Sequence, residues 1–142
     1  MAFVSVTRLR VRSLRFLPFF FVFALRSSMQ AARAEGSVEV TLLRDKKNTF
    51  WTITVWQSES AMRLFMTNGA HRQVMPKLLK WCDEASVVHW NQASELAPTW
   101  MEAHQRMQRE GRRSKVNFPS ADHLLFAISL PLISKTRHLR FK

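Results

Sequence analysis

The chain has 142 residues, 46% hydrophobic and 23% charged, and carries +12 from 22 basic and 10 acidic residues. That is one domain's length, with enough apolar residues to bury a core without disulfides or metal. Three isolated glycines (Gly36, Gly69, Gly111) exclude a Gly-rich phosphate loop, and the single cysteine, Cys82, excludes an internal disulfide and every multi-cysteine metal motif.

The excess charge is not spread evenly. Residues 1–34 carry +6 with no acid, residues 35–104 carry −1, and residues 105–142 carry +7. The basic ends suit an anionic partner, or they are solvated arginines on the outside of ordinary elements.

The chain opens on Val4 to Arg12, where Leu9 and Val11 alternate with Arg8, Arg10 and Arg12. Arginines followed by an apolar run (16–25) and Ala32-Arg33-Ala34 have the parts of a secretory signal. The alternation, and Arg26 interrupting the stretch, favour a half-buried strand followed by a helix, and with it a cytoplasmic protein. Pro18 suits a first helical turn and Gly36 the position just past a helix end, so residues 17–35 form helix one, with Phe16, Phe19, Phe20 and Phe23 towards the core. Residues 38–43 and 49–56 read as a hairpin around the polar turn 44–48, with Trp51, Ile53 and Val55 on one face and Phe50, Thr52, Thr54 and Trp56 on the other.

Ser58 caps the next helix, which ends near Asn68. A further helical segment runs to about Ala85, with His71, Val74, Met75, Leu78, Leu79 and Cys82 on one stripe and a kink or restart at Pro76. Residues 86–91 form a fourth strand. Residues 98–110 form an appended helix with Trp100, His104 and Met107 on one face, and a short strand is expected at 124–130 in the basic tail. The chain thus divides into a domain at 1–111 and an extension at 112–142. The order is β-α-β-β-α-β, the ferredoxin-like α+β order. Both sheet faces are apolar, which predicts a second sheet against the one without helices, most simply from a partner chain.

The stretch Thr54-Val55-Trp56-Gln57-Ser58-Glu59-Ser60-Ala61-Met62 to Phe65, followed by Asn68-Gly69-Ala70-His71-Arg72, resembles the antibiotic biosynthesis monooxygenase superfamily. The opening strand Val4 to Arg12 is similar to the carotenoid ketolase (spheroidene monooxygenase-like) branch. Val88-His89-Trp90 and Pro98-Thr99-Trp100-Met101-Glu102-Ala103 resemble an uncharacterised sibling family with the same appended helix. The resemblance covers about residues 3–111 and implies a homodimeric α+β barrel. His71 falls where haem-degrading members place an iron ligand, but Thr7 and Phe65 stand where they place Asn and Trp. The resemblance therefore leaves two cofactor states equally open, haem held through His71 or none, with no metal ion site.

Under that resemblance His71 is the catalytic ligand or base, Trp51 and Trp56 wall a flat or polyene hydrophobic ligand, and Asn68 and Arg72 complete the pocket, Arg72 anchoring an anionic group. The same residues also fit plainer roles: a core histidine, core tryptophans and a solvated helix arginine. The site lies between the second helical region and the sheet. If the protein is an enzyme, oxygen insertion is the natural reaction. The rival is a non-catalytic dimeric module that binds nucleic acid or an anionic membrane surface through Arg8, Arg10, Arg12, Arg106, Arg109, Arg112, Arg113 and Lys115.

Overall fold

The computed structural model describes residues 1–133 and 138–142, without the side chains of Ala70, His71 and Val74. β1 (Ala2–Val11) is followed by a 3-10 turn (Leu14–Phe16) and α1 (Leu17–Arg33). The hairpin β2 (Ser37–Arg44) and β3 (Thr49–Trp56) comes next, then α2 (Glu59–Met66), α3 (Gly69–Trp81) and β4 (Cys82–Gln92). The remainder is α4 (Trp100–Glu110), β5 (Arg112–Arg113), α5 (Ala121–Leu125) and β6 (His138–Arg140). The strands form one antiparallel sheet in the order β5-β4-β1-β3-β2-β6. Its inner four, β4-β1-β3-β2, are the ferredoxin-like arrangement. The arginine-rich opening segment is the strand between β3 and β4.

Local chemistry sets the element ends. The Ser58 hydroxyl accepts the Ala61 N–H at 3.2 Å to start α2, and the Thr99 hydroxyl accepts the Glu102 N–H at 3.1 Å to start α4. Gly36 sits at φ +86°, and a Cβ there would lie 2.6 Å from the Ala61 Cβ. It therefore supplies both the left-handed turn after α1 and the close approach of α2.

Several elements differ from the sequence expectation. The last helical segment ends at Trp81 instead of Ala85, and Cys82 opens β4. The reason is cross-strand: Asp83 and Glu84 meet Arg10 and Arg8 of β1, which draws these residues into the sheet. α3 continues through Pro76. Phe19 is exposed, whereas Phe16, Phe20 and Phe23 are buried. No strand forms at 124–130. α5 ends at Phe126 in the left-handed conformation, and the edge strand forms later, at β6, against β2.

One face of the sheet carries α1 and α3, with Leu42, Phe50 and Ala85 under Phe20, Phe23 and Leu78. The opposite face carries Val4, Val6, Trp51, Ile53, Val55 and Val88, and it is covered within the same chain by Trp100, Ala103 and Met107 of α4 and by Ile128. The apolar face that predicts a partner sheet is thus closed in cis. The extension is part of that closure. It pairs with β4 through β5, buries Val116 on the helix face, then crosses the opposite face to pair with β2 through β6. The His104 Nε2–H donates to the Ile128 carbonyl at 2.9 Å and Gln108 Nε2 donates to it at 3.2 Å, so α4 holds this strap.

Candidate functional site

The strand registers align side chains into rows across the helix-bearing face. One row is Val40, Thr54, Ser5 and His89; the next is Leu42, Thr52, Thr7 and Val87. Four short hydroxyl side chains therefore occupy the centre of this face. They are too small to meet the helices above. The result is a cavity of about 430 Å³ between the sheet, α1, α2 and α3. Ser27 and Ser28 of α1 add hydroxyls to its roof, Phe20, Phe23, Met62, Leu78 and Leu79 make its walls apolar, and the exposed cations Arg63, Arg112 and Lys115 stand at its mouth. Arg63 is itself held by Glu59, with Nε 2.8 Å from Oε2.

Among the described residues, His89 supplies the imidazole of this cavity. β4 places it opposite Ser5, and its ring packs on Phe3 with centroids 5.4 Å apart. Its Nε2 is buried and has no hydrogen-bond partner among the described residues. Burial first, then the positive charges of Arg112 and Arg63, hold its pKa below the ordinary histidine value, so the ring is neutral near pH 7. A neutral imidazole with a buried free nitrogen, facing hydroxyls in an apolar cavity with a cationic mouth, is equipped to take a proton from an acidic hydroxyl and to keep the anion.

Of the residues singled out from the sequence, Trp51, Trp56, Asn68 and Arg72 do not line this cavity. The His71 side chain lies outside the described residues; its backbone is in the first turn of α3. Trp51 is on the opposite face of the sheet, fully buried, its Nε1–H donating to Asp45 Oδ2 at 3.1 Å. Trp56 is on the helix face but packs under α2 against Phe65, outside the cavity lining. Asn68 precedes α3 in an outer groove between α1 and α2, where its side chain donates to the Leu64 carbonyl at 2.8 Å and its own carbonyl accepts Gln30 Nε2–H at 3.0 Å. Arg72 is exposed on α3 and does not line the cavity. Trp51 leaves the site because strand alternation sends it to the other face. Asn68 and Arg72 leave it because the first turn of α3 sits at the outer end of the helix layer.

Sequence reasoning missed His89 because it looked for ligand spacing along the chain. The signal was present in another form. Ser5 and Thr7 alternate with Val4 and Val6, and Thr52 and Thr54 alternate with Trp51 and Ile53. Two strands with small polar residues on the same face mark a hollow, and His89 falls on that face of the fourth strand.

A second set of buried charges lies on the closed face and is structural. Arg8 Nη1 donates to Glu84 Oε1 at 2.7 Å, Arg10 Nη1 to Oε2 at 2.9 Å, and the Ser120 hydroxyl to Oε2 at 2.8 Å. Burial raises the Glu84 pKa, but the hydrogen bonds from Arg8 and Ser120 and the charge of Arg8 outweigh it, so the net shift is downward. Cys82 is buried, and burial pushes its thiol pKa up to about 12, which makes it an inert core residue. Among the described residues no cluster of three or more His, Cys, Asp or Glu is arranged to hold a metal ion, and no helix is long and apolar enough to cross a membrane.

The fold matches solved structures of antibiotic biosynthesis monooxygenase-like proteins. SnoaB, a cofactor-independent oxygenase from Streptomyces nogalater, is 23% identical with a TM-score of 0.54, over 66% of this chain and 94% of that one. A candidate antibiotic biosynthesis monooxygenase from Nitrosomonas europaea is 12% identical with a TM-score of 0.58, over 65% of this chain and 90% of that one. Rv0793 from Mycobacterium tuberculosis is 9% identical with a TM-score of 0.59, over 66% of this chain and all of that one. At these identities the likeness is one of fold. No curated protein matches the sequence. The model of a domain of unknown function, DUF3291, matches residues 21–117, and the chain belongs to that family.

Proposed function

We propose that this protein takes a flat or extended apolar small molecule with an acidic hydroxyl into the cavity between the sheet and α1–α3, and that it promotes oxygenation of that ligand. The observation that supports this is the buried, unpartnered Nε2 of His89 in a cavity of about 430 Å³. The imidazole accepts the hydroxyl proton. Arg63, Arg112 and Lys115 at the mouth favour the resulting anion, and the apolar walls exclude the water that would disperse its charge. An electron-rich anion of this kind can itself reduce dioxygen. At a ring methylene, one oxygen atom becomes a carbonyl and the other leaves as water with the two hydrogens, so the substrate supplies all the electrons. Haem is the other option, and His89 is then the described imidazole of the cavity that could hold its iron.

A dihydroxyanthraquinone such as alizarin tests the site, because its visible band reports ionisation. The wild type is expected to shift the dye to its phenolate band at a pH where the free dye is protonated. His89→Ala should lose the shift, and Thr7→Trp, which fills the floor, should lose binding. A shift that survives both substitutions would remove this cavity from the mechanism. Titration with haem completes the test: a Soret band that persists in His89→Ala excludes His89 as an iron ligand.

A homodimer joined through the sheet requires α4 and the strap to leave the face they cover, and we propose the single chain as the ligand-binding unit. Sedimentation at micromolar concentration is expected to give the mass of one chain. The anionic-partner reading through both basic ends has three of its eight residues engaged in ion pairs within the fold. Arg8 and Arg10 are committed to Glu84, and Arg106 lies over the Trp90 ring at 4.5 Å and pairs with Glu102 and Glu110.

A further inference from the structure

We propose that the end of the molecule formed by the 3-10 turn, the start of α1 and the end of α3 docks on an anionic membrane surface. The patch is continuous. The Phe16 ring is approached by Arg12 at 4.9 Å, Arg15 at 4.7 Å and Lys80 at 5.9 Å. Arg12 also lies 4.3 Å from the Phe118 ring, and its Nε–H donates to the Lys80 carbonyl at 2.6 Å. Phe19 stacks beside Trp81 with centroids 6.4 Å apart. Beyond this cationic collar the apolar groups stand free: Leu14 is 70% exposed, Phe19 63% and Phe118 56%. Val22 continues the outer stripe of α1 one turn past Phe19.

The composition of the patch selects its partner. Large apolar tips with Arg and Lys around them match the boundary between headgroups and acyl chains. Each cation near an anionic leaflet adds to the attraction. Residues 1–34 contain no acid, and the nearest acids along the chain beyond Lys80, Asp83 and Glu84, are engaged with Arg10 and Arg8. One exposed acid, Asp122, lies four residues beyond Phe118. A second copy docking face to face across a two-fold axis would therefore set Arg12, Arg15 and Lys80 of each copy against their like, with fewer acids than cations to offset them. Single-stranded nucleic acid needs open ring faces for base stacking. Here Phe16 is buried under Arg12 and Arg15, and Phe118 and Phe19 each have one face taken, by Arg12 and Trp81, which leaves edges and tips exposed and no run of open faces.

The test is co-sedimentation of the full chain with vesicles of equal parts phosphatidylcholine and phosphatidylserine, against phosphatidylcholine alone. The chain is expected to sediment with the mixed vesicles only, and less so as salt is added. Arg15→Glu should weaken binding about thirtyfold, as removal and reversal of one cation imply. The pair Leu14→Ser and Phe19→Ser should lower it at least as much. Arg109→Glu, an equal charge change on exposed α4, should leave it unchanged. The proposal is overturned if no binding to mixed vesicles occurs, or if Arg109→Glu weakens it as much as Arg15→Glu. It is equally overturned if the patch substitutions instead abolish self-association or binding to a single-stranded oligonucleotide.

Discussion

The two faces of the sheet are built from the same four strands and come out opposite. One face presents Val4, Val6, Arg8, Trp51, Ile53 and Val55, is fully covered and contains a buried ion pair. The other presents Ser5, Thr7, Thr52 and Thr54 at its centre and is hollow. The helices over the second face rest on large residues at the periphery, Phe50 towards one end and Phe3 and Trp56 towards the other. Between these supports the floor is low. A cavity in a small α+β domain can therefore arise from residue size in register across strands, without any insertion or loop.

The largest expected effect lies on the closed face. Glu84→Ala leaves the buried Arg8 guanidinium without its carboxylate and should cost about 3–5 kcal/mol in urea unfolding. A loss below about 1 kcal/mol would mean that this face is wetter than the packing implies. Enlarging a side chain then separates the faces directly. Ala103→Leu, into the packed contact between α4 and the sheet, should cost about 1–3 kcal/mol. Thr7→Leu, into the hollow, should cost less than about 1 kcal/mol while displacing ligand. Equal costs would erase the contrast.

Titration sharpens the same contrast. The Glu84 pKa is lower in the folded than in the unfolded chain. Its contribution is therefore complete above the ordinary glutamate pKa and is lost as pH falls through the depressed folded value. His89 is also depressed, so the fold favours its neutral ring. That contribution is complete above the ordinary histidine value of 6.5 and declines as pH falls below it. The acid limb of the stability curve should thus flatten below pH 4.5 in Glu84→Gln and between pH 6.5 and the folded His89 value in His89→Gln. NMR of the His89 ring should show Arg112→Ala moving its pKa upward. The smallest effects belong to Asn68→Ala and Arg72→Ala, which should change stability by less than about 0.5 kcal/mol and leave dye binding intact.

Much of this architecture is legible in the sequence. Alternation places Trp51, Ile53 and Val55 opposite Phe50, Thr52 and Thr54, and the cap Ser58 and the turn at Gly36 mark helix ends by local chemistry. The site was legible only as a region. Which side chains meet in it depends on register between distant strands, such as Ser5 against His89, and no spacing along one segment carries that information. Asp45 makes the same point: it sits in a polar turn, yet it is buried and accepts the N–H groups of Lys46 and Leu132 and the Trp51 indole. Its partner at 132 is far along the chain, so composition alone gives a solvated loop.

The strap has a consequence for folding. β1 lies between β3 and β4, whereas the segment that reaches Asp45 through Leu132 and ends in β6 follows all four inner strands in the chain. The inner sheet and the cavity face do not depend on it, but full closure of the Trp51 face and of the β2 edge does. A molecule whose strap comes loose therefore exposes an apolar surface and an unpaired strand edge together. Variants that free the strap, such as Asp45→Ala, are the ones expected to aggregate, even though the cavity face stays assembled.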